Sequence, residues 1–272
     1  MMTNLDLALG EAYRWYLTRA QHPFKKKILG HWWGWFCKPS VWIKYDADLV
    51  IKVRLREYIQ RSIFMEGYYE PDLVKLLKSE LRPNDVFWDV GANVGAMTLI
   101  AARRCKQVLA FEPEPRVLAR LREHLEANAL ANVRVMPLAL SDTGGRVMMG
   151  LAPEENSGMN SLCRTDLGWD CQEVEAIRAD DLVAPGDVAY PNVMKVDVEG
   201  AEAMVFGGAQ SLLRNPALRM VVFEAALSKD GMPANVELTR MLEAAGLTVS
   251  PFARSDATAD DGMGNFLARR AQ

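Results

Sequence analysis

The chain has 272 residues, half of them hydrophobic and a quarter charged, and a net charge of −3 from 32 Lys and Arg against 35 Asp and Glu. This length holds one large domain, or a domain and an annex; the balance excludes a disordered polymer, a collagen-like fibre and a disulfide mini-scaffold. The charge is uneven: residues 1–45 carry seven Lys and Arg against Asp6 and Glu11, about +5, which leaves about −8 for the remainder.

Residues 1–45 also hold Trp15, Trp32, Trp33, Trp35 and Trp42, five of the seven tryptophans. Asn4 to Arg19 reads as one amphipathic helix, which the His22-Pro23 step ends. Leu49, Ile51, Val53 and Leu55 alternate with polar residues and predict a strand, with Tyr58 to Met65 as the returning arm of a hairpin. Together 1–65 forms an N-terminal annex, and 66–272 the main domain. From Glu70 onward, helix and strand patterns alternate. Helices are predicted over Pro71–Leu81, Gly95–Arg104, Arg116–Ala129, Ala201–Arg214 and Asn235–Ala245. Strands are predicted over Val86–Val90, Val108–Phe111, Val133–Met136, Val193–Val198 and Leu218–Phe223, with a closing pair at Leu247–Phe252 and Asn265–Arg269. Ser141 to Gly145 is a turn between two further strands. Repeated β-α units argue for an α/β fold, a doubly wound parallel sheet with helices on both faces and an antiparallel strand near one edge.

The longest uncharged run, Val90 to Ala102, has 13 residues, short of the roughly 20 that span a bilayer. The start of the chain lacks a basic segment followed by an apolar one, which argues against a secretory signal and for a cytoplasmic protein. Cys37, Cys105, Cys163 and Cys171 form no CxxC pair, so zinc spacing is absent and reduced thiols are expected.

Asp89-Val90-Gly91-Ala92-Asn93-Val94-Gly95 follows an apolar strand and opens a helix, where α/β sheets carry glycine-rich ligand loops. Asn93 stands at the middle-glycine position of a dinucleotide fingerprint, and Asp89 would repel a phosphate. Glu112 lies 23 residues beyond Asp89, near the roughly 20-residue offset of an acid that binds ribose hydroxyls. A glycine loop and a ribose acid without the phosphate glycine suit a phosphate-free adenosine ligand such as S-adenosylmethionine. An NAD-type binder with an irregular loop is the competing reading. In Lys195-Val196-Asp197-Val198-Glu199-Gly200-Ala201-Glu202, strand alternation puts Lys195, Asp197 and Glu199 on one face. A strand lysine in a buried sheet needs an acid partner, which Asp197 or Glu199 would supply. Glu199 and Glu202 also suit a helix N-terminus. Asp197 and Glu224, at adjacent strand ends, could hold Mg²⁺, but no third carboxylate is evident and no metal is expected. His124, among Arg122, Glu123 and Glu126, reads as a solvated helix residue; His31 lies among the annex aromatics and could cap the site.

These segments, with Phe111-Glu112-Pro113 between them, resemble the FkbM-type family of S-adenosylmethionine-dependent methyltransferases. Weaker matches are Gly67-Tyr68-Tyr69-Glu70-Pro71, Ala139-Leu140-Ser141-Asp142 and Asn265-Phe266-Leu267-Ala268. The resemblance covers roughly 66–270. It implies a Rossmann-like seven-stranded methyltransferase sheet, S-adenosyl-L-methionine as cofactor, and a hydroxyl acceptor on a sugar, glycan, glycolipid or small natural product. Carried over residue by residue, it makes Asp89, Gly91, Asn93 and Gly95 the loop around the methionine part and Glu112 the ribose ligand. Ser141 and Asp142 fall near the adenine, and Lys195, Asp197 and Glu199 border the sulfonium and acceptor, with Asp197 or Glu199 as general base. The annex reads three ways: a lid or dimer element, a membrane-interface segment, or plain packing. The acidic main domain disfavours nucleic acid.

Overall fold

The computed structural model describes residues 3–19, 40–153, 158–163, 168–252 and 262–271. His31, three of the annex tryptophans and the whole acidic loop 256–261 lie outside these. In chain order the elements are α1 (Asn4–Arg19), β1 (Val41–Lys44), β2 (Val50–Val53), α2 (Tyr58–Glu66), α3 (Pro71–Glu80), β3 (Val86–Val90), α4 (Ala96–Ala102), β4 (Gln107–Phe111), α5 (Pro115–Ala127), β5 (Val133–Met136), β6 (Ala139–Leu140), β7 (Gly145–Leu151), β8 (Asp170–Ile177), α6 (Ala179–Val183), β9 (Val193–Val196), α7 (Glu202–Gly207), α8 (Gln210–Arg214), β10 (Met220–Ala226), α9 (Val236–Ala244), β11 (Leu247–Phe252) and β12 (Met263–Arg270).

Seven strands form one sheet in the order β11-β12-β10-β9-β3-β4-β5. β12 runs antiparallel to both neighbours, and the β10-β9-β3-β4-β5 pairings are parallel. The central strands are apolar because both faces are covered: every residue of β3 and β9 is buried. One core packs on each face, around Phe87, Leu99, Ile100 and Leu121 on one side and Trp88, Phe111, Phe206 and Phe223 on the other. A second sheet, β6-β8-β7, flanks the first. Strand order reverses between β3 and β9, the switch point where such sheets open a ligand crevice at their carboxyl ends.

Tyr58 to Met65 is not the second arm of a hairpin. The arms are β1 and β2, with Val41 opposite Val53, and Tyr58–Glu66 is a helix that buries Gln60, Ile63 and Phe64 and ends at Gly67 with φ 99°. The apolar residues at 59, 63 and 64 have helical spacing, and the glycine supplies the left-handed stop. The predicted helix over Ala201–Arg214 is also split, into α7 and α8. At the break a Cβ on Gly208 would lie 1.9 Å from the Ser141 carbonyl oxygen, so this close approach requires glycine.

A two-stranded hairpin is marginal in isolation, and here helix side chains satisfy both of its outer edges. On the β1 edge Glu11 accepts the Lys44 amide at 2.8 Å and Arg14 donates to the Lys44 carbonyl at 3.1 Å. On the β2 edge Asn128 accepts the Val50 amide at 2.8 Å and donates to the Val50 carbonyl at 2.7 Å. His124 is therefore not a solvated residue: the hairpin covers its face of α5 and leaves it 1% exposed. Its Nε2 accepts the Lys52 amide at 3.1 Å and its Nδ1 donates to the Val94 carbonyl at 2.7 Å. By turning Glu11 and Arg14 toward the hairpin, α1 leaves Leu5, Leu9 and Trp15 exposed.

Asn128→Ala would orphan a buried amide and a buried carbonyl of β2. We expect a loss of about 2–3 kcal/mol in urea unfolding; wild-type stability would show that the hairpin is not held there.

Candidate active site

The carboxyl ends of β3, β4, β9 and β10 frame a cleft of about 1070 Å³, counted out to open solvent. Its floor is the loop after β3. Gly91 and Ala92 both donate to the Phe111 carbonyl, at 3.1 and 2.9 Å, and Asp197 donates to the Val90 carbonyl at 3.1 Å. The loop thus spans both neighbours of β3. Gly91 has φ 76°, and a Cβ there would fall 1.9 Å from the Asp197 carbonyl oxygen; no side chain fits between the two strand ends. Gly95, at φ 90°, starts α4 against Leu121 of α5.

Beneath this loop lies an ionic cluster. Asp89 and Lys195 are register partners on β3 and β9. The Lys195 Nζ donates to the Gly91 carbonyl at 3.0 Å, and lies 3.1 Å from an Asp197 carboxylate oxygen and 3.6 Å from Asp89. Burial alone would pull the ammonium pKa down, but Asp197 and Asp89 outweigh it and raise it above the ordinary lysine value. Asp89 is fully buried, and Thr98 donates to it at 2.5 Å. Burial pushes its pKa up, against the pull of Lys195 and Thr98.

Glu112 lines the cleft at the end of β4. One carboxylate oxygen accepts the Asn93 amide at 2.9 Å and the other the Glu114 amide at 3.0 Å. Burial pushes its pKa up to about 7, although these two amides act in the opposite direction.

The far wall is acidic. Asp197, Glu199 and Glu224 bring carboxylate oxygens within 4.8 Å of one another, close enough to share a cation. Strand alternation does not explain this grouping, because β9 ends at Val196 and the chain turns through Glu199 at φ 56° and Gly200 at φ 100°. That turn is held by Glu202, which accepts the Val198 and Gly200 amides at 3.2 and 3.1 Å, and by Ser161, which donates to the Glu199 carbonyl at 2.7 Å.

Gly91, Asn93, Glu112, Lys195, Asp197 and Glu199 all line the cleft. Gly95 stands just behind the wall, between the lining residues Val94 and Ala96. Asp89 does not line it: the buried carboxylate anchors Lys195 and Thr98 instead of facing a ligand. Ser141, fully buried, and Asp142 stand just beyond the wall formed by Ala139 and Leu140. Glu70, absent from the expected site residues, also lines the cleft, with its backbone in the left-handed region at φ 52°. Its carboxylate accepts from the side-chain amide Nδ2 of Asn265 at 2.7 Å. Both residues belong to weakly matching segments, and that match is the signal the sequence holds for them.

The donor set selects among ligands. Five carboxylates line the cleft, Glu70, Glu112, Asp197, Glu199 and Glu224, and Lys195 is the one ammonium among the described residues. That ammonium is already engaged by Asp89, Asp197 and Gly91. A pyrophosphate would meet carboxylates without a free cation, whereas a ligand with hydroxyls, an ammonium and a positively charged sulfur meets acceptors of the right sign. S-adenosylmethionine is such a ligand.

The model of the methyltransferase FkbM domain matches residues 89–247. The hexuronic acid methyltransferase AglP of Haloferax volcanii is 31% identical over 179 residues, covering 66% of this chain and 70% of that protein. The 31-O-demethyl-FK506 methyltransferase FkbM of Streptomyces tacrolimicus is 30% identical over 224 residues, covering 71% and 82%. The 2-O-methyltransferase NoeI of Sinorhizobium fredii is 26% identical over 200 residues, covering 63% and 76%. The solved structure of methyltransferase FkbM from Methylobacillus flagellatus aligns with a TM-score of 0.46 at 13% identity, over 78% of this chain and 52% of that one. With the family model spanning more than half of its length, this chain belongs to the FkbM family of S-adenosylmethionine-dependent methyltransferases.

Proposed function

We propose that this methyltransferase acts on a hydroxyl oxygen, that of a sugar, free or within a glycan or glycolipid. The observation that carries the reading is the Asp197 carboxylate: it stands at the mouth of the sheet, 3.1 Å from the Lys195 ammonium that orients it, beside Glu199 and Glu224. A hydroxyl is a weak nucleophile that gains from a positioned base, and sugar hydroxyls are natural donors to a wall of carboxylates. Two of the relatives carry an oxygen acceptor in their names and one a hexuronic acid, which supports the same class. Among the described residues no helix is long and apolar enough to cross a membrane.

Bound S-adenosylmethionine supplies an electrophilic methyl group on a positively charged sulfur. The chain's own residues do the rest. Glu112 would accept the ribose hydroxyls, and the Gly91–Gly95 loop would hold the methionine portion. Asp197 would take the proton of the acceptor hydroxyl as that oxygen bonds to the methyl carbon, the carbon–sulfur bond breaking with its electron pair left on sulfur. Lys195 fixes the Asp197 carboxylate and is itself fixed by the Gly91 carbonyl, so base and cofactor loop share one anchor. Much of the acceleration comes from holding the reacting atoms in line.

Asp197→Asn is expected to lower turnover by roughly 10²–10⁴-fold while S-adenosylhomocysteine affinity stays within about tenfold, measured by radiolabelled methyl transfer to a sugar and glycolipid panel and by calorimetry. Unchanged turnover would remove Asp197 as the base. Ionised Glu112 should bind the ribose best, so S-adenosylhomocysteine affinity should rise with pH through about 7. Glu112→Gln should flatten that rise; an unaltered pH profile in the variant would place the titration elsewhere.

A further inference from the structure

The N-terminal hairpin lies outside the matched family model, yet it is wired to the cofactor loop through one buried ring. His124 sits on α5 between the two. Its Nδ1 donates to the carbonyl of Val94, inside the loop, at 2.7 Å, and its Nε2 accepts the amide of Lys52, on β2, at 3.1 Å, with the Lys52 carbonyl 3.2 Å from the same nitrogen. The Val94 carbonyl requires the proton on Nδ1, and accepting the Lys52 amide at Nε2 corresponds to the neutral ring. Burial favours that neutral ring by lowering its pKa, and the Trp42 ring packs edge-on against it at 5.7 Å.

The contacts on either side show what this ring controls. One turn earlier on α5, Leu121 fills the space where a Cβ on Gly95 would stand, 2.4 Å away. One turn later, Asn128 holds both polar groups of Val50. Arg120, on the same face, pairs with the buried Glu57 at 2.9 Å. Thus α5 presents one face that clasps the hairpin and seats the Val94–Gly95 corner. That corner sets the Asn93 amide that Glu112 binds at 2.9 Å. Between the hairpin and the cleft runs α2, whose Ile59 lines the cleft directly.

We infer that His124 is a positioning residue for cofactor binding, and that the β1–β2 hairpin is a working part of the S-adenosylmethionine site, coupled to the loop through the Lys52–His124–Val94 chain. The ring touches neither cofactor nor acceptor; it sets the height of the Val94 carbonyl and with it the loop that does. Because coupling free energies are reciprocal, ligand in the cleft must tighten the hairpin as the hairpin tightens the cleft.

The test uses the full chain and S-adenosylhomocysteine. In the wild type, saturating ligand should slow amide hydrogen exchange at Lys52 at least about fivefold, although Lys52 does not line the cleft. His124→Leu should weaken binding at least about tenfold and abolish the ligand effect at Lys52. His124→Gln keeps a donor and an acceptor on one planar group and should restore affinity to within about threefold of wild type. A residue that only filled space would be served as well by leucine as by glutamine. Exchange at Lys52 unaffected by ligand in the wild type overturns the coupling, and so does wild-type affinity in His124→Leu. If the leucine variant fails to fold, the wild-type exchange measurement and the glutamine rescue still decide.

Discussion

Three electronegative groups converge on the Lys195 ammonium, and the site depends on that convergence. The Gly91 carbonyl belongs to the loop after β3, the Asp89 carboxylate to β3 itself, and the Asp197 carboxylate to the chain leaving β9. A buried ammonium with one partner removed is a costly defect, so the three groups fix each other. They do so at the point where strand order reverses and the sheet opens. The carbonyl of Asp197 occupies the place where a side chain at residue 91 would begin, which makes the ion cluster and the glycine turn two views of one constraint. Base and cofactor loop consequently cannot move independently.

The rest of the molecule brackets this anchor. On one side, α5 carries the loop's far corner on Leu121 and His124 and receives the N-terminal hairpin on the same face. On the other, the turn through Glu199 and Gly200, pinned by Glu202 and Ser161, brings a third carboxylate to Asp197 and Glu224. Glu112 joins the two sides: its carboxylate already satisfies two backbone amides, and its remaining lone pairs face the cleft. Burial holds its pKa near neutrality, which gives the site a natural dependence on pH.

The parts of this fold legible in the sequence are those dictated locally. Short runs such as Val86–Val90 and Val193–Val198 announce buried strands, the second ending at Val196, and glycines at 91 and 95 announce the loop between β3 and α4. A lysine inside a buried strand calls for an acid partner; of the two acids offered, Asp197 and Glu199, Asp197 supplies it, and Asp89 on the neighbouring strand is the second. What escaped was set by tertiary contact. The charged neighbours of His124 read as a solvated face because nothing local reveals a hairpin laid over it. Tyr58 to Met65 reads as a strand because its alternating predecessor suggests continuation, although residues 59, 63 and 64 carry helical spacing. Glu70 and Asn265 are 195 positions apart, and only the closed sheet brings them together. Asp89, whose sequence position beside the glycines suggested a ligand contact, lies beneath the loop because its strand is buried on both faces.

The claim that one buried ammonium assembles the site is tested most directly by titrating S-adenosylhomocysteine calorimetrically into Lys195→Met and into the Asp89→Asn/Lys195→Met pair. The single variant leaves a carboxylate buried without its cation and should unfold more readily by about 3–5 kcal/mol. The pair should recover stability while binding at least about tenfold more weakly than wild type, because nothing then holds the Gly91 carbonyl to the Asp197 carboxylate. Wild-type affinity in the stable pair would contradict the account.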